Sequence, residues 1–72
     1  MSRKSIQHPG RTLAKKRRMV GMTQHEVAEL ANVSLTRIVY GETGRLDLEP
    51  EEVARVRQVL RQRLKQVVAE VV

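Results

Sequence analysis

The segment from Thr23 to Gly44 constrains the fold of this chain more than any other part of the sequence. It holds two short runs with apolar residues at helical spacing, and each run is opened by a hydroxyl residue, Thr23 or Ser34. Such side chains accept hydrogen bonds from free backbone N–H groups at a helix start, and Glu26 completes a capping box with Thr23. Asn32, between the runs, tolerates the left-handed conformation of a sharp turn. The segment therefore predicts a helix, a tight turn and a second helix.

Two further helices are predicted, one on each side of this segment. Residues 11–20 form the first, with Leu13 and Val20 on one face and Gly21 as its stop. From Pro50 onward the sequence contains no Gly and no other Pro, so one helix is expected to run to the C-terminus. Six of its apolar residues fall within about 80° of a helical wheel and form one narrow stripe. They are Val53, Val56, Leu60, Leu64, Val67 and Val71.

The core is expected to be aliphatic, because Tyr40 is the only aromatic residue of the chain. Val27, Leu30 and Ala31 are assigned to the inner face of the second predicted helix, and Ile38 is expected to anchor the third from behind. A chain of 72 residues buries only ~60% of its unfolded surface and this one has no cysteine, so tight helix packing or oligomerisation has to supply stability. We therefore expect a single all-α domain.

Positive charge is concentrated in the first part of the chain. Residues 1–45 hold nine of the fourteen Lys and Arg and three of the eight acids, so the whole net charge of +6 lies there. This asymmetry favours a polyanionic partner such as nucleic acid, although the basic run could instead be a solvated helix face. Residues 1–10 are polar and basic, end in Pro9-Gly10 and predict a flexible arm.

Several functional classes find no support in the sequence. It contains no nucleophile paired with a base, no Gly-rich phosphate loop and no metal-ligand motif, so we expect no catalysis, no cofactor and no metal. It has no apolar run of membrane length and no secretory h-region at its start, so we expect a cytoplasmic protein with no membrane partner.

Three stretches then resemble, in order and without a gap, the Cro/cI (XRE-type) helix-turn-helix family of DNA-binding proteins. They are Met22-Thr23-Gln24-x-Glu26-x-Ala28, Val33-Ser34-x-x-x-Ile38 and Glu42-x-Gly44. The resemblance implies a lambda-repressor-like helix-turn-helix bundle of four to five helices over residues 11–60. Residues 61–72 would extend its last helix.

The resemblance also implies roles for individual residues. In the relatives the second helix of the motif enters the major groove, and here that helix begins after Ser34. Its expected base-reading residues are Leu35, Thr36 and Tyr40. Gln24, Thr43 and Arg45 are expected to contact the phosphate backbone of the DNA. Arg17 and Glu42 match a structural salt bridge between the first and third helices.

Charge and side-chain chemistry add further DNA contacts. Arg37 could bind guanine in two-point fashion or neutralise a phosphate, and we favour phosphate because it lies on the side of the helix. Cations expected to contact phosphates regardless of sequence are Lys15, Lys16, Arg18 and Arg45. Arg3 and Lys4 could reach an adjacent minor groove, or the arm could stay disordered.

One position departs from the family pattern. Relatives usually carry a large apolar residue where this chain has Gly41, and a glycine there removes core volume and costs ~1 kcal/mol in helix propensity relative to Ala. The third helix is therefore expected to end early or bend, or Tyr40 to fold back over the gap.

The last helix is expected to extend to residue 72, beyond the core that a domain of residues 11–60 would form. Its apolar side chains would be exposed on a monomer, so we expect a symmetric homodimer interface, unless the helix kinks and covers its own core. The interface residues would be Leu64, Val67, Val68 and Val71.

We expect a small transcriptional regulator, a repressor that binds a palindromic DNA operator as a dimer. The alternatives are an antitoxin whose C-terminal helix binds a toxin, and a helical protein-interaction adaptor that does not bind DNA.

Overall fold

The computed structural model describes residues 9–71, with side chains through residue 70, and it has four helices in this part of the chain. They are α1 (Pro9–Met19), α2 (Gln24–Ala31), α3 (Leu35–Thr43) and α4 (Pro50–Val71). No strand occurs among the described residues, so the expected all-α fold is confirmed. None of these helices is both long enough and apolar enough to cross a membrane.

Side-chain caps define the starts of α2 and α3. The Glu26 N–H donates to Thr23 Oγ1 at 3.0 Å, and the Thr23 N–H donates to Glu26 Oε1 at 2.9 Å. At α3 the Arg37 N–H donates to Ser34 Oγ at 3.2 Å. The capping box and the second N-cap predicted from the sequence are therefore both formed, and they satisfy backbone groups that have no partner inside the helix.

The first three helices end with the same backbone geometry. Each is followed by a residue with positive φ, namely Gly21 (72°), Asn32 (57°) and Gly44 (82°). The next N–H then donates to the carbonyl five residues back, from Met22 to Arg17, Val33 to Ala28 and Arg45 to Tyr40. This is the Schellman pattern, which closes the helix and reverses the chain. Asn32 thus makes the predicted turn between α2 and α3.

The core lies where the four helices meet and is aliphatic. Its buried residues are Leu13, Met22, Val27, Ala28, Ala31, Val33, Ile38, Val53, Val56 and Leu60. The assignment of Leu30 to this core was wrong, because its side chain is 63% exposed. The buried face of α2 is centred between Val27 and Ala28, and at 100° per residue Leu30 lies about 100° away from that centre.

Two glycines bring α1 and α3 into backbone contact. A Cβ on Gly10 would lie 1.9 Å from the Gly41 carbonyl oxygen, so only glycine fits at this point of α1. Pro9 and Gly10 form the first residues of α1, and the prediction that they end a flexible arm was wrong. Residues 1–8, including Arg3 and Lys4, lie outside the described part of the chain.

Leu48 replaces the side chain that Gly41 lacks. A Cβ on Gly41 would meet Leu48 Cγ at 2.8 Å, so the loop between α3 and α4 fills this space. As a result α3 continues to Thr43, and the expectation that it ends early was wrong. Tyr40 does not fold over the gap, since its side chain is 41% exposed.

The last helix is continuous. α4 has 22 residues and crosses the predicted boundary between residues 60 and 61 without interruption. Val53, Val56 and Leu60 belong to the core, whereas Leu64 and Val68 are exposed and Val67 is half-buried. The second half of α4 therefore does not turn back to cover its own core.

Candidate nucleic-acid interface

The outer face of α3 is exposed while its inner face is anchored. Ile38 is buried in the core, and Thr36 and Tyr40 lie exposed on the other side of the helix, whereas Leu35 is exposed at the start of the helix about 60° from Ile38. Thr36 and Tyr40 are four residues apart and so stand one above the other on the same face. All three residues predicted from the resemblance to read bases are therefore exposed, but only Thr36 and Tyr40 share one face of α3.

A buried ion pair holds α3 against α1. Arg17 Nε lies 2.7 Å from Glu42 Oε2 and Arg17 Nη2 lies 3.0 Å from Glu42 Oε1, with side chains only 11% and 7% exposed. Arg17 Nη1 also donates to the Met22 carbonyl at 2.7 Å. Because both charges are paired and hydrogen-bonded, their burial is tolerated. The two residues singled out by the resemblance are thus in direct contact.

Gln24 joins this ion pair. Its Nε2 donates to Glu42 Oε1 at 3.0 Å, so one N–H of the amide is used inside the protein. A primary amide has two N–H groups, and one is left for a phosphate. The sequence predicted only the phosphate contact and missed the contact with Glu42.

The guanidinium of Arg37 is paired with a carboxylate of α4. Its Nε donates to Glu52 Oε2 at 2.7 Å and its Nη2 donates to Glu52 Oε1 at 2.8 Å. Such two-point geometry is the strong form of an Arg–carboxylate pair. This side chain joins the start of α3 to the start of α4, and the pair uses two of its five N–H groups. The expectation that Arg37 also contacts a base or a phosphate stays a prediction.

Glu52 is held by two sets of hydrogen bonds. Besides Arg37, the Glu49 N–H donates to Glu52 Oε1 at 2.7 Å. The Arg37 guanidinium, helped by the Glu49 N–H, lowers the pKa of the Glu52 carboxyl to about 2, although burial opposes this shift. The same pairing raises the pKa of Arg37. One feature of the sequence could have predicted part of this arrangement. Glu52 is the third residue of α4, and an acidic side chain at that position often accepts a hydrogen bond from a backbone N–H at the helix start.

Two exposed guanidinium groups lie at the C-terminal end of α3. Arg45 Cζ is 5.7 Å from the centroid of the Tyr40 ring, within cation–π range. Arg11 lies beside the same end, because its Nη2 would be 3.3 Å from a Cβ built on Gly44. Sequence reasoning assigned Arg45 to this interface and missed Arg11, whose position depends on how α1 crosses α3.

The hydroxyl of Thr43 is engaged within α3. Its Oγ1 lies 3.1 Å from the Val39 carbonyl oxygen and 3.2 Å from that of Tyr40, so its hydrogen is donated to the helix backbone. A phosphate oxygen needs a donor. In this structure the single O–H of Thr43 is used inside the helix, and the phosphate contact of Thr43 stays a prediction.

The cations of α1 divide between two sides of the helix. At 100° per residue, Arg11, Lys15 and Arg18 lie within about 60° of one another. Lys16 lies about 160° from Arg18, and it lines a groove against α4. The α1 cations predicted to contact phosphates therefore do not lie on one surface: Lys15 and Arg18 share a side of the helix, and Lys16 lies on the opposite side.

The predicted dimer interface is only partly described. Leu64 and Val68 are exposed, Val67 is half-buried, and the side chain of Val71 lies outside the described part of the chain. These residues follow one side of the second half of α4, about one turn apart.

The exposed side chains of α3 include the hydroxyl of Thr36, the phenol of Tyr40 and the apolar group of Leu35. The guanidinium groups of Arg11 and Arg45 lie at the C-terminal end of this helix. Within the described residues, no three His, Asp or Glu side chains come together in a way that could hold a metal ion.

Comparisons of the chain with protein-family models, curated proteins and solved structures found no significant match.

Proposed function

We propose that this chain binds double-stranded DNA through α3 and acts as a small transcriptional regulator. The observation that carries the proposal is the exposed face of Thr36 and Tyr40, with Ile38 buried behind it and Leu35 exposed at the start of the same helix. The major groove of B-DNA is about 12 Å wide and admits one α-helix. Thr36 can hydrogen-bond a base edge, and Leu35 can contact a thymine methyl group.

The anchoring of α3 supports this proposal. A helix that reads base edges must keep its orientation, since small displacements break hydrogen bonds to bases. Arg17 with Glu42 joins α3 to α1, Arg37 with Glu52 joins it to α4, and Gly10 touches its backbone. These contacts come from the inner side and both flanks of α3, so the outer face stays free.

The cations beside α3 supply the sequence-independent part of the proposed binding. Arg45 and Arg11 lie at one end of the helix, and Lys15 and Arg18 follow on the same side of α1 as Arg11. Each phosphate neutralised by such a group releases counterions, so affinity should fall steeply with salt. Because Arg37 is paired with Glu52 and lies on the side of α3, we expect few two-point contacts with bases and a modest specificity.

We also propose that the chain binds DNA as a homodimer. Leu64, Val67 and Val68 form an apolar stripe on the part of α4 that extends beyond the core. Pairing two copies through this stripe would bury it. It would also present two α3 helices to an inverted repeat whose half-sites lie one turn, ~34 Å, apart.

A salt titration of binding to random duplex DNA tests the proposal. We expect wild-type affinity to fall steeply between about 50 and 200 mM salt. Arg45→Ala should weaken binding to all duplexes alike and reduce the salt slope by about one. Lys65→Ala, which removes an exposed cation of α4, is the matched control and should change neither quantity.

Selection of bound oligonucleotides from a random pool then tests the base contacts. Thr36→Ala should change which sequences are preferred, whereas Arg45→Ala should leave the preferred sequences unchanged. If wild type shows no salt-dependent binding, DNA binding is excluded and a protein-interaction adaptor takes its place. If both variants weaken all sequences equally, the assignment of base contacts to Thr36 is wrong.

A further inference from the structure

A groove between the end of α1 and the middle of α4 lies outside the proposed DNA interface. Its volume is about 390 Å³. The apolar lining consists of Met19, Val20, Leu60 and Leu64, and the charged lining consists of Lys16, Arg57 and Arg61. Met19 is 77% exposed and Leu64 is 51% exposed, so two large apolar side chains lie uncovered at the same groove. The groove thus offers an uncovered apolar surface next to α4.

All the charged residues that line this groove are cations. In the part of the chain that the structure describes, neither Lys16 nor Arg57 forms an ion pair. Arg61 donates to the uncharged Gln58 side chain at 3.2 Å. Elsewhere the buried or half-buried cations Arg17 and Arg37 do have carboxylate partners. The groove therefore combines an apolar floor with positive charge that no carboxylate of residues 9–70 neutralises.

We propose that this groove binds an acidic amphipathic helix of a partner protein. Apolar side chains spaced three or four residues apart on such a helix would contact Met19, Leu60 and Leu64. Asp or Glu side chains beside that stripe would pair with Lys16, Arg57 and Arg61. Arg57 and Arg61 are four residues apart on α4, so two acids one turn apart on the partner match their spacing.

A second copy of this chain fits the groove less well. In a symmetric dimer the same surface meets itself. Lys16, Arg57 and Arg61 of one copy would then face the same cations of the other, and like charges at an interface cost several kcal/mol. The dimer stripe proposed above continues farther along α4 at Val67 and Val68 and shares only Leu64 with the groove.

Two designed helical peptides test the proposal directly. Both are about 15 residues long and carry Leu at positions i, i+4 and i+7; one has Glu beside the Leu stripe and the other has Lys. Binding is measured by fluorescence anisotropy on the full chain. We expect the acidic peptide to bind at least tenfold more tightly than the basic one, with an affinity that falls as salt is added.

Matched variants locate the binding site. Met19→Glu places a negative charge in the groove and should weaken the acidic peptide at least tenfold. Leu30→Glu makes the same change at an exposed position of α2, where Leu30 is 63% exposed, and should leave peptide binding unchanged. Both positions are solvent-facing, and thermal melting checks that each variant is folded.

Three results would overturn the proposal. They are equal affinity for the two peptides, peptide binding that survives Met19→Glu, and a wild-type dimer that Met19→Glu dissociates in sedimentation experiments. The third would assign the groove to a second copy of the chain. The proposal does not depend on DNA binding, because a chain that takes the acidic peptide but binds no DNA leaves it intact.

Discussion

Arg37, at the third position of α3, and Glu52, at the third position of α4, form a two-point ion pair with N–O distances of 2.7 and 2.8 Å. The pair links the start of the proposed DNA-reading helix to the start of the long C-terminal helix. It uses the only guanidinium that the sequence places on α3. Consequently Arg37 fixes the start of α3 against the start of α4.

This pair should make stability sensitive to acid. The pKa of Glu52 is about 2 in the folded protein against an ordinary 4.5, so its carboxylate stabilises the fold fully above about pH 4.5. That stabilisation is lost as the pH falls through about 2. We expect it to be on the order of 1 kcal/mol, because the Arg37 side chain is 40% exposed and solvent screens its charge.

Urea unfolding as a function of pH measures this effect. Glu52→Gln should lower stability at neutral pH and reduce the further loss on acidification. Glu51→Gln, which alters the exposed neighbour, should keep the wild-type pH profile. Identical acid profiles for wild type and Glu52→Gln would contradict the role given to this pair.

Arg17→Met should destabilise the protein strongly. It leaves the Glu42 carboxylate, 7% exposed, without its counter-charge. Removal of one partner from a buried pair costs about 3–5 kcal/mol. That is a large fraction of the stability of a small domain.

A double-mutant cycle by chemical denaturation checks this coupling. The double variant Arg17→Met with Glu42→Met should be more stable than Arg17→Met alone, because no unpaired charge is buried. Arg18→Met, at the exposed neighbouring position, should stay within about 0.5 kcal/mol of wild type. Additive losses for the two single changes would contradict the coupling.

Gly10→Ala should cost more than Gly41→Ala. The new Cβ at Gly10 meets the Gly41 backbone oxygen, placed at 1.9 Å, so the two helices must move apart. We expect a loss of about 1–3 kcal/mol from such overpacking. At Gly41 the nearest obstacle is the Leu48 side chain at 2.8 Å, which can rotate, and Ala gains ~1 kcal/mol in helix propensity. Thermal or urea unfolding of both variants gives the order, and the reverse order would refute the contact between α1 and α3.

Val68→Glu should abolish dimerisation if the α4 stripe pairs two copies. Val68 is exposed in the single chain, so a charge there harms an interface and leaves the fold intact. Leu30→Glu makes the same change on α2 and should keep the wild-type association state. Sedimentation velocity measures both, and a monomeric wild type would remove the dimer from the proposal.

The sequence by itself determined how α2 and α3 begin and where the chain turns between them. Thr23 with Glu26 caps α2, Ser34 caps α3 and Asn32 turns the chain between them, as predicted. These interactions join residues within three or four positions of each other, so their geometry follows from the local backbone alone. The exposed position of Thr36 and the burial of Ile38 follow from the same helical periodicity.

Only the tertiary structure decided which side chains meet between helices. It paired Arg37 with Glu52, placed Arg11 beside Gly44 and put Lys16 on the rim of the groove. Those contacts join residues that are fifteen or more positions apart in the sequence. Their formation depends on where the helices cross, and that is set by backbone approach and core packing, as at Gly10 against α3. Helical periodicity gives the direction of a side chain from its own axis and contains no information about the neighbour it will reach.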